Sequence, residues 1–104
     1  MTALIATIAL LYALDILDGY STIEAVNKGY IEGNKFLVWL YGTNKPGAKQ
    51  EYGYSSVVVG VQGAIAIILG IHHPSWILPM MGILGAEAVG HFVASIINFK
   101  HAGA

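Results

Sequence analysis

YGYSSVVVGVQGAIAIILGI, residues 52–71, carries no charged side chain. A hydrocarbon core of about 30 Å takes roughly 20 helical residues to cross, so the stretch reads as a transmembrane helix on length and composition. HHPS follows at residues 72–75. Pro74 has no N–H with which to continue a helix, so the chain turns there into a tight hairpin. A second apolar run extends from about Trp76 to Phe99. Upstream, a third runs from about Ala3 to Lys28 and opens with MTALIATIALLYAL, with Gly29 placed to terminate it. Between the first and second spans, FLVWLY at 36–41 is too short to cross; its Trp and Tyr favour the membrane–water interface. NKPGAK at 44–49 is a turn-rich loop. The expected fold is an all-α integral membrane protein, one domain over residues 1–104, with helices at about 3–28, 52–71 and 76–99 and an interfacial helix at about 35–41.

Composition agrees. Of 104 residues, 56% are hydrophobic and 11% charged, against roughly a quarter charged in an average soluble protein, and the mean hydropathy is +0.64. A soluble helical protein with an apolar core is the competing reading and fits these values poorly. The chain has no Cys, which removes disulfide frameworks and thiolate metal sites. A formal net charge of −1 and the lack of Arg argue against nucleic-acid binding, which needs concentrated basic charge. The first apolar run lacks a basic leader and ends in aspartates instead of a small-residue cleavage site, so an uncleaved first helix is expected.

Lysine placement orients the spans. Lys28, Lys35, Lys45 and Lys49 lie between the first two, and Lys100 follows the third. With three crossings these regions share one side, which the positive-inside rule places in the cytoplasm. The N-terminus and the HHPS turn are then outside. Tyr20, Tyr30, Trp39, Tyr41, Tyr52 and Tyr54 gather towards the lysine side, and Trp76 marks the other.

Polar residues interrupt the spans at similar depth. Asp15, Gln62 and Glu87 stand near the three midpoints, and Asp18 and His91 lie within a few residues of them. A charge near the bilayer centre costs about 3 kcal/mol on insertion scales unless paired or hydrated, so these groups are expected to face one another. Asp15, Asp18 and Thr22 share one helical stripe through three- and four-residue spacing; Glu87, His91, Ser95 and Asn98 form another. Beside the latter runs Gly82, Ala86, Gly90 and Ala94, a small-xxx-small pattern. With Ser56, Gly60 and Gly63 on the second span, it is expected to let helices approach closely.

Three chemistries suit this set. The first is a buried polar seam that ties helices together, for instance Asp to His and Glu to Gln. The second is a proton or ion pathway lined by Asp15, Asp18, Glu87 and His91. The third is a divalent-metal site drawn from the same four residues, whose carboxylates and single imidazole suit magnesium, manganese, zinc or iron without selecting among them. No resident cofactor follows from the pattern. His72 and His73, in the turn, are expected to be exposed and to titrate near neutrality. His101 is expected in a solvated tail.

DGYSTIEAVNKGYIEGN, residues 18–34, can be written D-x3-T followed by G-x2-E-x-N: Asp18, Thr22, Gly29, Glu32 and Asn34. This resembles the signature of a family of small prokaryotic membrane proteins of unknown function, in which an Asp/Thr pair on the first helix precedes a Glu-x-Asn-Pro turn. The match covers about the first third of the chain, and Lys35 stands where that family has Pro. The resemblance implies a membrane fold and a structural role for the motif, and supplies no activity. Asp15-x-x-Asp18-Gly19 is also similar to the opening of the metal-binding motif of membrane alcohol phosphotransferases. Those enzymes continue with Ala-Arg and later aspartates; here Thr22 and Ile23 take the Ala-Arg positions and no aspartate follows Asp18. Taken on its own residues, the stretch uses Gly29 and Gly33 to turn the chain and Asn34 to cap the interfacial helix.

The reading that follows is a small membrane protein, structural or accessory and non-enzymatic, embedded in lipid and assembled as a homo-oligomer or beside a larger membrane partner. A phage-encoded membrane protein is one such setting. An oligomeric proton or ion pathway is the alternative, and a small metal-dependent enzyme acting at the membrane is a third reading.

Overall fold

In the computed structural model, residues 1–29, 35–43 and 45–103 are described. They form α1 (Thr2–Asn27), α2 (Lys35–Tyr41), α3 (Ala48–His72) and α4 (Ile77–His101), with one 3-10 turn over Pro74–Trp76 before α4. Three of these helices are long and apolar enough to cross a membrane. At 1.5 Å per residue, the 26 residues of α1 extend about 39 Å, more than the hydrocarbon core requires. No strand occurs among the described residues.

The helix ends follow local chemistry. Gly29 adopts φ +99°, the left-handed conformation that stops α1, and its N–H bonds to the Val26 carbonyl at 3.0 Å. α3 begins four residues before its apolar run, at Ala48. Gly47 precedes it and donates its N–H to Gln50 Oε1 at 3.1 Å, so Lys49 and Glu51 are drawn into the first turn. His73 closes α3 with an N–H to the Leu69 carbonyl at 2.7 Å before Pro74 opens the turn. Asn34, the expected cap of α2, and the Glu32 and Gly33 beside it lie outside the described residues.

α1 packs against both α3 and α4, whereas α3 and α4, though joined by the short turn, pack far less against each other. α1 is therefore the central helix. Glycines permit the close approach of α3: a Cβ on Gly63 would stand 2.9 Å from Ile8 Cγ2, and one on Gly19 would stand 3.2 Å from Glu51 Cβ. Leu4 and Leu11 of α1, Val59 and Ala66 of α3, and Leu84 and Ala88 of α4 form the buried apolar core, with Ile8, Leu14, Met80 and Met81 against it. Outward, Val57, Val61, Ile65 and Ile68 on α3 and Leu78, Ile83, Val89 and Val93 on α4 are exposed. A soluble monomer rarely shows an apolar surface of that extent; a lipid-facing one does.

The glycines of the small-residue row on α4 meet no helix within the chain. Gly82 and Gly90 have no atom within 4 Å of an added Cβ, nor does Gly60 on α3, and Ala86 is exposed. The face that α4 turns inward is Leu84, Ala88, His91, Ser95 and Asn98. At about 100° per residue, the Gly82–Ala94 row lies roughly 140° round the helix from it. Only Gly63, of the glycines expected at helix contacts, makes a tight one within the chain.

Candidate functional site

α1 carries a dense polar row just past its midpoint. Asp15 is 6% exposed, and Ser21 and Thr22, one turn beyond Asp18, are also buried. Ser21 Oγ and Thr22 Oγ1 donate to the Asp18 carbonyl at 2.8 and 2.9 Å, which keeps two hydroxyls inside the helix satisfied locally. The carboxylates are left to reach other helices.

They do so on both sides. Ser55 Oγ of α3 donates to Asp15 Oδ1 at 2.9 Å. His91 Nδ1 of α4 lies 2.7 Å from Asp18 Oδ2 and 3.7 Å from Asp15 Oδ1. Two turns further along α4, Asn98 Nδ2 lies 3.0 Å from Asp18 Oδ1, 2.9 Å from Thr22 Oγ1 and 3.2 Å from Ser21 Oγ, and its two hydrogens are shared among them. Both oxygens of Asp18 are thus engaged by α4, and Asp15 is held by α3. Towards the same end, Glu51 is buried beside Gly19, and Tyr41 Oη donates to Glu51 Oε2 at 3.4 Å. The result is a polar seam from mid-helix to the end where Lys28, Lys49 and Lys100 close α1, α3 and α4.

One oxygen each from Asp15 and Asp18 and one nitrogen of His91 lie within 4.8 Å of one another, an arrangement that can hold a metal ion. Bonds of about 2.0–2.2 Å at the tetrahedral angle place the donors of a zinc-like ion about 3.4 Å apart, so these side chains would have to close in to ligate one. Ser55 and Asn98 would then be the groups that orient the ligating carboxylates. Among the described residues, His91 pairs with carboxylates and with no hydroxyl, so the arrangement lacks the nucleophile–base contact of a hydrolase.

Glu87 and Gln62 stand apart from this group. Gln62 Nε2 donates to both Glu87 oxygens, at 2.9 and 3.0 Å. The pair borders an apolar groove of about 200 Å³ between α3 and α4, lined by Ile65, Leu69, Met80 and Ile83. The polar groups expected to meet at one depth therefore divide into two sets. Glu87 stands one turn before His91, about 40° round α4 from it, and bonds across to Gln62 of α3. His72 and His73 are exposed in the turn, where His73 stacks on Trp76 with ring centroids 3.9 Å apart, and His101 is exposed near the C-terminus.

Sequence reasoning missed Ser55, choosing the neighbouring Ser56, which instead bonds with Tyr12 Oη at 2.8 Å on the surface. The usable signal was the row of small residues Ser55, Val59, Gly63, Ala66 and Gly70, the buried face of α3. Ser21 and Glu51 also escaped it, the latter because the span was begun at Tyr52. Searches against protein-family models, curated proteins and solved structures match nothing to this chain.

Proposed function

We propose that this chain is a small multi-pass membrane subunit, structural or accessory and non-catalytic, whose Asp15–Asp18–His91–Asn98 network clamps α1 between α3 and α4. One observation carries the reading: donors from both flanking helices converge on two aspartates of the central helix. In lipid no water is at hand to satisfy those carboxylates, so separating the helices exposes charge as well as breaking contacts. The reading gains from the resemblance that implies a structural role, since Asp18 and Thr22, which carry it, are both in the seam. A single-copy ion path draws less support, because the apolar core of Leu4, Leu11, Val59 and Leu84 fills the other half of the bundle. The clamp is tested by comparing wild type with Asp18→Ala in mild detergent. An unfolding transition shifted to lower stability with helix content retained is expected, and an unchanged transition would remove the clamp.

The lysine end faces the cytoplasm in this proposal, with the N-terminus and the Pro74 turn outside. Because the chain has no Cys, single cysteines at Ser75 and Gly103 would report sidedness to an impermeant maleimide in intact cells; labelling of Gly103→Cys alone would invert the assignment. The open Gly82–Ala86–Gly90 face offers a second copy, or a larger membrane partner, a close approach.

A second reading of the same atoms has its own support. Two carboxylates and a neutral imidazole balance a divalent cation in charge, and their donor atoms are already clustered. Metal analysis of chelator-free protein, beside His91→Ala, tests it. Stoichiometric metal that vanishes in the variant would make the clamp a metal centre, and metal-free wild type would refute that.

A further inference from the structure

Away from the seam, the first turns of α3 and the end of α2 enclose an open recess of about 500 Å³. Its lining is graded along the helix. Lys49, Gly53 and Val57 follow one another at four-residue spacing, so a charge, a bare backbone and an apolar side chain line up over about 12 Å. Gly53 has nothing within 4 Å of an added Cβ, so the row has an open floor at its centre. Leu40 and the rings of Tyr41 and Tyr54, packed edge-on at 5.9 Å, form the wall. Lys49 makes no ion pair with any described residue. Gln50 gives its carbonyl oxygen to the Gly47 N–H, which leaves its NH2 as the group it offers at the rim. Among the described residues no carboxylate lines the recess; Glu51, the nearest acid in sequence, is buried against Gly19.

We infer that this recess binds one anionic phospholipid from the surrounding leaflet. Its phosphate would sit at Lys49 and the Gln50 amide, and the upper part of an acyl chain would lie over Gly53 against Val57 and Leu40. Each observation has its part. The unpaired ammonium selects negative charge, and the tyrosines suit headgroup depth. The apolar half of the recess is what free phosphate leaves unused and a lipid fills. The inference rests on the membrane-spanning reading of α3 and is independent of the clamp.

Native mass spectrometry on protein released from detergent, titrated with phosphatidylglycerol or phosphatidylcholine, tests it. The expected result is one retained phosphatidylglycerol, favoured about fivefold over phosphatidylcholine, the factor that a single lysine near the surface supplies. Lys49→Gln should erase the preference, Gly53→Leu should weaken retention of both lipids, and Lys100→Gln should change neither. Millimolar inorganic phosphate should fail to displace the bound lipid. Equal retention of the two lipids would overturn the site. So would equal losses in Lys49→Gln and Lys100→Gln, which would mean general attraction to the lysine end, or a bound second copy of the chain in place of lipid. Circular dichroism and the unfolding transition, expected to be unchanged in all three variants, separate a lost lipid from a lost fold.

Discussion

The two halves of this bundle are built from the same three helices in the same surroundings, yet they are held by different forces. Towards the turn, Leu4, Leu11, Val59, Ala66, Leu84 and Ala88 pack together. Towards the lysine end, Asp15, Asp18, Ser55, His91 and Asn98 are joined by hydrogen bonds. Lipid chains are nearly as apolar as leucine, so the first half gains only the difference between good packing and loose packing. The second half makes contacts that lipid has no means to replace. The apolar half therefore adds stability with little orientation, and the polar half decides which faces meet.

Substitutions can break that comparison. The largest effect is expected from Asp18→Ala, which leaves His91 and Asn98 without their shared acceptor; about 3 kcal/mol should be lost in reversible unfolding from mixed micelles. Leu11→Ala, at a fully buried site in the apolar half, should cost about 2 kcal/mol by opening a cavity, with the helix faces still correctly paired in cysteine cross-linking. If Leu11→Ala scrambles the cross-links and Asp18→Ala does not, the two halves have been assigned the wrong way round. Ser55→Ala removes one hydrogen bond and should cost about 0.6 kcal/mol, the average for interhelical polar contacts in membranes. The smallest effect belongs to Gly90→Ala, which meets open space and should leave the monomer within about 0.5 kcal/mol. Gly90→Leu should leave unfolding equally intact while dissolving any oligomer seen by light scattering; an unchanged oligomer mass would move the self-association face elsewhere.

The spans were legible because length and hydropathy are properties of the chain itself. Uncharged residues 52–71 and Pro74 place one helix and its turn without knowledge of any neighbour. Much of the seam was legible too, since Asp15, Asp18 and His91 are costly in lipid and share one depth. The order of packing was not. Nothing local says that α1 lies between two helices joined by a short turn; that follows from Gly19 and Gly63 admitting α3 on one side while Ala88 and Ser95 face α1 on the other. Which neighbour the small-residue row on α4 serves was not legible for a related reason. Glycine every fourth residue fits a neighbouring helix and an open face equally well, and what decides is the polar row that must be buried first. Glu87 shows the same limit: its depth was readable, but its pairing with Gln62 depended on how α3 and α4 sit round α1.

The central position of α1 has a consequence for how the protein is made. α1 emerges before α3 and α4, so Asp15 and Asp18 precede both of the helices that supply their partners. Ser55 on α3 reaches only one of the two aspartates; the side chains that hold the other, His91 and Asn98, arrive with α4. Until then the first span is a reluctant one, held at the insertion machinery or tilted to keep its carboxylates wet. Of the three spans α4 is made after the other two, so the side chains that settle Asp18 in the membrane are supplied only once His91 and Asn98 have been synthesised.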